Sequence, residues 1–357
     1  MSEQTNRWLK NLAALTVSTV LCFAVAEVAL RVISPVQTFV NPAGSFHRPD
    51  PELGWTGTPN WKARFHKVDF DVLVESDANG FRARKATVQP APGSPVIAVL
   101  GDSFTWGWGV ENGSVFTDVM QNELGAGADV RNFGVNAYGT LQQLLLLQRL
   151  LKEGLRPSHV LVMFFNNDFY NNLDDDPWQP SLAVNGTNVV LRNYPVARRS
   201  VSPLKQLVKK SYLLSSIGYA INFTKARHRV RELEGRTFEE GIVAEAPRRA
   251  MTYCLKELVA VCAATDIRLA FVYIPAFSDV QMEGTSHARE ALHALCDQEG
   301  VRLVDLTGDF REAAAGKPIK FYFPHDAHWN VDGHQLAGTI LAELLKRELP
   351  VTVRAGE

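Results

Sequence analysis

The chain has 357 residues, 46% hydrophobic and 21% charged, with a formal net charge of −1. This length is long for one domain and short for two full ones, and the composition is that of an ordinary globular protein. So balanced a charge excludes a global field directed at nucleic acid, and no nucleic-acid partner is expected.

Arg7 and Lys10 precede an uncharged apolar run, Asn11 to Ala26. Its 16 residues fall just short of the roughly 17–25 that span a bilayer. One reading is a cleaved signal peptide, with Ala24-Val25-Ala26 as the cleavage site. The preferred reading is an uncleaved anchor. The apolar spacing continues through Val28, Leu30, Val32 and Ile33, as one continuous helix requires. Glu27 and Arg31 then mark the far interface, and Arg7 and Lys10 stay cytoplasmic by the positive-inside rule. A buried soluble helix ranks third. Both membrane readings export the rest of the chain.

Residues 35 to 90 are rich in Pro, Gly and Asn, and read as turns between short strands. From residue 95 the pattern becomes regular. "VIAVL" is a buried strand, Val115 to Leu124 has helical apolar spacing, and "DVRNFGV" is strand-like. "LQQLLLLQRLLKEG" is a strong helix ending at Gly154, followed by the apolar strand "HVLVMFFN". Unbroken apolar runs suit strands covered on both faces, as in a parallel sheet.

At "NNLDDDPWQP" the rhythm breaks, and a basic, partly amphipathic helical stretch follows through Gly235. The alternation resumes near Ala250. A helix carries Cys254 and Cys262, "IRLAFVYIP" is a strand, a helix runs from about Ser286 to Glu299, "VRLVDLT" is a strand, and Gly333 to Glu348 is the last helix. Alternating strands and helices predict a doubly wound α/β fold with a mostly parallel sheet. The expected organisation is an anchor or signal peptide over 1–34, an N-terminal extension over 35–94, and a main domain over 95–350. Residues 175–249 form an inserted, lid-like segment. Its basic character reads as a solvated helix face, with anionic lipid or acidic glycan as the alternative.

Of the four cysteines, Cys22 sits in the apolar run. Cys254 and Cys262 lie about 12 Å apart along one helix, too far to bridge. Three buried thiols are expected, and a bond from Cys296 to either of them stays open. No zinc spacing occurs.

Chemistry is concentrated at strand ends. "VIAVLGDSFTWGWGV" delivers Ser103 just past a buried strand, where open α/β sheets bind ligands. Ser103 there is either a nucleophile or the cap of the next helix. "NFGVNAYGTLQQ" offers accessible backbone amides, and "FFNNDFYNN" places Asn166, Asn167 and Asp168 at a strand tip, where a side-chain amide suits an oxyanion. "FPHDAHWNVDGHQLAG" holds Asp326 and His328 on an apparent loop, an acid and base two residues apart. His325 and His334 are rivals for the base. Residues His325, Asp326 and His328 also suit a metal by type, but no further ligand is in view. No metal and no cofactor is expected.

Together these stretches resemble the SGNH (GDSL-like) hydrolase superfamily, over about residues 95 to 173 and 250 to 345. "GDSFTWGWG" matches the first block and implies Ser103 as nucleophile, with its own amide in the oxyanion hole. "NFGVNAYGT" matches the second, with Ala137 where the family has glycine. An alanine amide can donate there if the loop needs no positive φ. "FNND" matches the third block, with Asn167 as its asparagine and Phe165 in place of its glycine. "DAH" is one residue shorter than the family's D-x-x-H. Its D-x-H-W spacing is similar to that of the alginate O-acetylation proteins. The resemblance implies a Ser103–His328–Asp326 triad, with Ser103, Ala137 and Asn167 holding the oxyanion. Asp102 is expected to support the turn.

The flanks "AEVALRVISP", "DPELGW" and "NGFR" look like those of membrane-anchored bacterial SGNH proteins. They imply a single-pass protein of the inner membrane, with the catalytic part in the periplasm or outside the cell. The implied activity is a serine esterase removing an acyl group, such as acetyl, from an exported carbohydrate or lipid ester. Two alternatives stand beside it: an O-acyltransferase on exported polysaccharide, and a non-catalytic glycan-binding scaffold tethered to the membrane. Asp174 to Asp176, Trp178 and Trp106 are candidates for a glycan groove, with core packing the blander role for each Trp.

Overall fold

In the computed structural model, residues 3–33, 37–39, 46–174, 176–197, 210–233, 243–281, 286–315 and 317–348 are described. Asp175 and residues 198–209 and 234–242 of the basic segment lie outside them. Helix α1, Glu3–Ile33, runs without a break through Ala24-Val25-Ala26. Within its stretch Thr5–Ile33 an 18-residue window has mean hydropathy 2.0 and no buried part, and among the described residues this helix alone is long and apolar enough to cross a membrane.

Among the described residues five short strands follow: β1 (Thr38–Phe39), β2 (His47–Asp50), β3 (Gly54–Gly57), β4 (Lys62–His66) and β5 (Asp71–Glu75). β4 and β5 form an antiparallel hairpin with β1 alongside β4, and β2 pairs with β3. Then comes the alternating region. Its first half runs β6 (Val96–Gly101), α2 (Ser103–Trp106), α3 (Phe116–Leu124), β7 (Asp129–Gly134), α4 (Thr140–Lys152), β8 (Pro157–Phe164) and α5 (Asp168–Asn171). The hairpin β9 (Ser181–Asn185) and β10 (Asn188–Arg192) and helix α6 (Tyr212–Leu233) interrupt it. The second half runs α7 (Glu245–Ala264), β11 (Arg268–Tyr273), α8 (Phe277–Gln281), α9 (His287–Glu299), β12 (Arg302–Asp305) and α10 (Thr307–Ala314). The hairpin β13 (Tyr322–Phe323) and β14 (Asp326–Trp329) and helix α11 (Val331–Lys346) are the last elements among the described residues.

The central sheet has the order β12-β11-β8-β6-β7, and every pairing is parallel. The predicted doubly wound α/β class is the observed one. The apolar runs of β6, β8 and β11 are unbroken because these inner strands are covered on both faces. Ala98, Leu100, Val160, Val162, Phe164, Phe271 and Tyr273 pack with α4, α7 and α9 on one side. Their neighbours Ile97, Val99, Leu161, Met163, Ala270 and Val272 pack with α3, α10 and α11 on the other. Each buried Val, Leu, Ile, Phe or Met among them contributes about 1.5–3 kcal/mol before chain entropy is subtracted. Two glycines set the tight fit of α2 on the sheet. A Cβ on Gly101 would lie 2.0 Å from Thr105 Oγ1, and one on Gly134 would lie 2.4 Å from the Trp106 nitrogen.

The cysteines are free thiols, with Cys254, Cys262 and Cys296 buried. Burial pushes the Cys296 thiol up to about 12 and the Cys262 thiol to about 11, as inert core groups. The hairpin β9–β10 is not free-standing, since Leu182 joins the core beside α7. Trp106 is fully buried, packed against Phe46 and Phe65. It lines no groove, because its bulk fills the seam between the β4–β5 hairpin and the main domain. Trp178 remains partly exposed.

Candidate active site

From β6 the chain turns one way to β7, while β8 lies on the other side of β6. Crevices open at such reversals, outside the carboxyl ends of the strands. Ser103 stands at this end, and it is not the helix cap. Asp102 is the cap, its Oδ1 accepting from the Phe104 N–H at 2.9 Å. The Ser103 hydroxyl is left to its own partner, His328 Nε2, at 2.7 Å.

His328 lies on strand β14 rather than on a loop. The hairpin register sets Tyr322 opposite Trp329 and Phe323 opposite Asp326. Trp329 is fully buried in the core and pins that end of the hairpin. Residues 326 and 328 share one face of the strand by its period of two. The short D-x-H spacing therefore brings acid and base together: Asp326 Oδ1 is hydrogen-bonded to His328 Nδ1 and accepts from the His328 backbone N–H at 3.2 Å.

Two residues missed from the sequence complete this cluster. Trp108 Nε1 donates to Asp326 Oδ2 at 3.0 Å, and its ring stacks on the imidazole with centroids 4.9 Å apart. Lys67 Nζ donates to the same Oδ2 at 3.2 Å. Burial pushes the Asp326 carboxyl up, but the His328, Lys67 and Trp108 partners outweigh it and hold it well below the usual carboxylate range. No local signal marks either residue, since each acts across more than 200 positions.

The rival histidines have other partners. His325 Nδ1 pairs with Asp69 Oδ1 at 2.7 Å, and its backbone N–H donates to Asp69 Oδ2. His334 is fully buried in α11, where its Nδ1 accepts from the Phe116 N–H at 3.4 Å. Burial, with the Arg82 and His328 charges, lowers its pKa to about 3. Among the described residues no three His, Cys, Asp or Glu side chains are placed to hold a metal ion.

The candidate oxyanion donors sit on three neighbouring strand ends. Ala137 lies in the β7–α4 loop, exposed between buried Asn136 and Tyr138. Its φ is +64°, in the left-handed region that favours glycine, with alanine in it. The loop does hold a positive φ at this position, and the alanine itself adopts it. The loop is over-determined by its anchors: Trp55 Nε1 donates to Asn136 O at 3.0 Å, and the Tyr138 hydroxyl donates back to Trp55 O. Such anchoring is what lets a strained residue persist.

Asn167 starts α5 just past β8. Its side-chain amide helps to stabilise the Asp102 carboxylate against the cost of burial, and a primary amide has a second N–H to offer. Asn166 instead accepts from the Tyr273 hydroxyl at 2.8 Å. Asp168 is buried, bracing the Phe165 N–H and Gln143 Nε2. Burial and then the neighbouring Asp102 push its carboxyl well up. Phe165 is no substitute for a glycine's space. It packs against Phe104, which in turn contacts the His328 ring at 4.7 Å.

Residues 99–336 match the model of the GDSL-like lipase/acylhydrolase family. The chain belongs to this family. Membership makes it a hydrolase of the ester-cleaving, acylhydrolase type. It is similar in structure to a psychrotrophic esterase from Pseudoalteromonas sp., at 15% identity over 72% of this chain and 99% of that one, with a TM-score of 0.41. A member of the lipolytic G-D-S-L family from Veillonella parvula is similar at 16% identity over 71% and 100%, TM-score 0.41. An aryl esterase from M. smegmatis is similar at 15% identity over 72% and 100%, TM-score 0.38. No curated protein matches the chain.

Proposed function

We propose that the protein is a serine esterase that removes an acyl group, most simply acetyl, from an exported carbohydrate or lipid ester. The observation that carries this reading is the continuous relay from Ser103 Oγ through His328 to Asp326. His328 takes the serine proton as Ser103 attacks the ester carbonyl, and Asp326 stabilises the imidazolium that forms. The amides of Ser103 and Ala137 and the second N–H of Asn167 hold the developing oxyanion. The alcohol leaves with the proton from His328, and water then releases the acyl group along the reverse path. The D-x-H-W spacing supports acetyl esters of polysaccharide as the substrate class.

We read α1 as an uncleaved anchor that leaves the main domain on the far side of the inner membrane. Its continuity through the candidate cleavage site supports this. The domain organisation of 1–34, 35–94 and 95–350 is kept, with 175–249 as an inserted border to the site. Tyr219 and Phe223 of α6 contact His66, one residue before Lys67, which supports that role.

The test is turnover of p-nitrophenyl acetate by the full chain in detergent, with Ser103→Ala and His328→Gln alongside. Loss of turnover in both variants is expected. Equal turnover by Ser103→Ala would overturn the triad. Acyl transfer that depends on an added glycan acceptor would make the protein an O-acyltransferase instead.

A further inference from the structure

The turn of the β4–β5 hairpin, Lys67-Val68-Asp69-Phe70, meets the β13–β14 hairpin residue by residue. Lys67 Nζ donates to Asp326 Oδ2 at 3.2 Å. Asp69 takes both the ring and the backbone N–H of His325. The Phe70 ring lies 5.1 Å from that of Phe323. The turn is itself closed by the Lys67 N–H donating to Phe70 O at 2.9 Å. One strand earlier, Phe65 is fully buried and meets Trp108 edge-on at 4.9 Å. Lys67 Nζ lies 4.4 Å over the centroid of that same indole. The lysine is therefore fixed on two sides, by the carboxylate and by the indole face. It is largely covered, its side chain 27% exposed and that of Asp326 15%.

We propose that Lys67 is a positioning residue for the Ser103–His328 pair, acting through Asp326. This rests on the triad reading above. The N-terminal extension thereby supplies a working part of the centre. Two consequences follow from the chemistry. The cation occupies Oδ2 beside the Trp108 N–H, so Oδ1 stays turned to His328. It also offsets part of the carboxylate's charge, so the imidazolium is held less strongly than by a carboxylate with neutral neighbours only. The other titratable groups around the pair are Asp102 at the end of β6, His334 in α11, and the Asp69–His325 pair. Lys67 is the cation among them in direct contact with Asp326.

The test compares Lys67→Met, Lys67→Gln and Lys67→Arg with the parent, as full chains in detergent, with circular dichroism reporting the fold. In Lys67→Met the proposal expects kcat for p-nitrophenyl acetate to fall about tenfold with KM unchanged. The acid limb of kcat/KM is expected to move up by about 0.5–1 pH unit, because removing the cation strengthens the hold on the imidazolium. Lys67→Arg restores both, and Lys67→Gln behaves as Met if Met does not fold. A second readout needs no turnover: the histidine ring resonances of 13C-labelled protein, with that of His328 identified by its loss in His328→Gln. It is expected to titrate at higher pH in Lys67→Met. Superimposable pH profiles and titrations, or equal damage from Met and Arg, overturn the proposal. A parent chain without Ser103-dependent turnover overturns the triad reading instead, and the ring titration then judges the Lys67 link alone.

Discussion

Trp108 and His328 lie face to face, their ring planes 20° apart, while the indole N–H of Trp108 reaches past the imidazole to Asp326. One side chain thus fixes the base by contact and its acid by a charge-assisted hydrogen bond. Trp108→Phe keeps the ring and loses the donor, and kcat is expected to fall about tenfold. Trp108→Ala loses both, and a fall of about 100-fold is expected. Steady-state kinetics on one ester substrate decides between them.

Asn167→Ala removes the side-chain donor proposed for the oxyanion. Deleting one such donor costs about 2.7–4 kcal/mol of barrier, or about 10²–10³ in kcat. KM is expected to stay within a few-fold, since the interaction belongs to the transition state. An equal loss of ground-state binding would remove Asn167 from the hole.

Ala137 sits at φ +64°. A left-handed backbone costs a non-glycine residue about 1–2 kcal/mol, and glycine gives back about 0.5–1 kcal/mol through chain entropy. Ala137→Gly is therefore expected to stabilise the protein by about 0.5–1 kcal/mol. Ala137→Val, β-branched, is expected to destabilise it by more than that. Denaturant unfolding of the three chains measures both, and a less stable glycine variant would show that the loop does not strain alanine.

His334 gives the protein a pH-dependent stability. Its folded pKa of about 3 lies below the ordinary 6.5, so the unfolded chain binds the extra proton between those values. Its contribution is complete above about pH 6.5 and is lost progressively as the pH falls toward 3. The loss is on the order of a few kcal/mol. His334→Gln keeps an acceptor for the Phe116 N–H and removes the titration. Its stability is expected to be flatter between pH 6.5 and 4 than the parent's, read by unfolding at stepped pH.

Much of this was legible in the chain itself. The unbroken apolar runs of β6, β8 and β11 determined a sheet covered on both faces, because periodicity reports burial locally. The same local logic marked Ser103, Asn167 and the Asp326–His328 pair, since each lies at the end of a readable element. Where local reading misled, a neighbour in space intervened. Asp102 took the cap that Ser103 seemed to offer, and the anchors on Trp55 held Ala137 in a glycine's backbone. A D-x-H spacing one residue shorter than the family's D-x-x-H became apt once residues 326–329 proved to be a strand.

What only the tertiary structure decided is who surrounds the acid. Trp108 and Lys67 reach Asp326 across 218 and 259 positions of sequence. Their meeting depends on the β4–β5 hairpin wedging Phe65 against Trp108 and Phe70 against Phe323. Periodicity and spacing register neighbours within a few turns of chain. Packing between distant hairpins leaves no such trace, because many sequences fill a seam equally well and only the folded arrangement selects which groups touch.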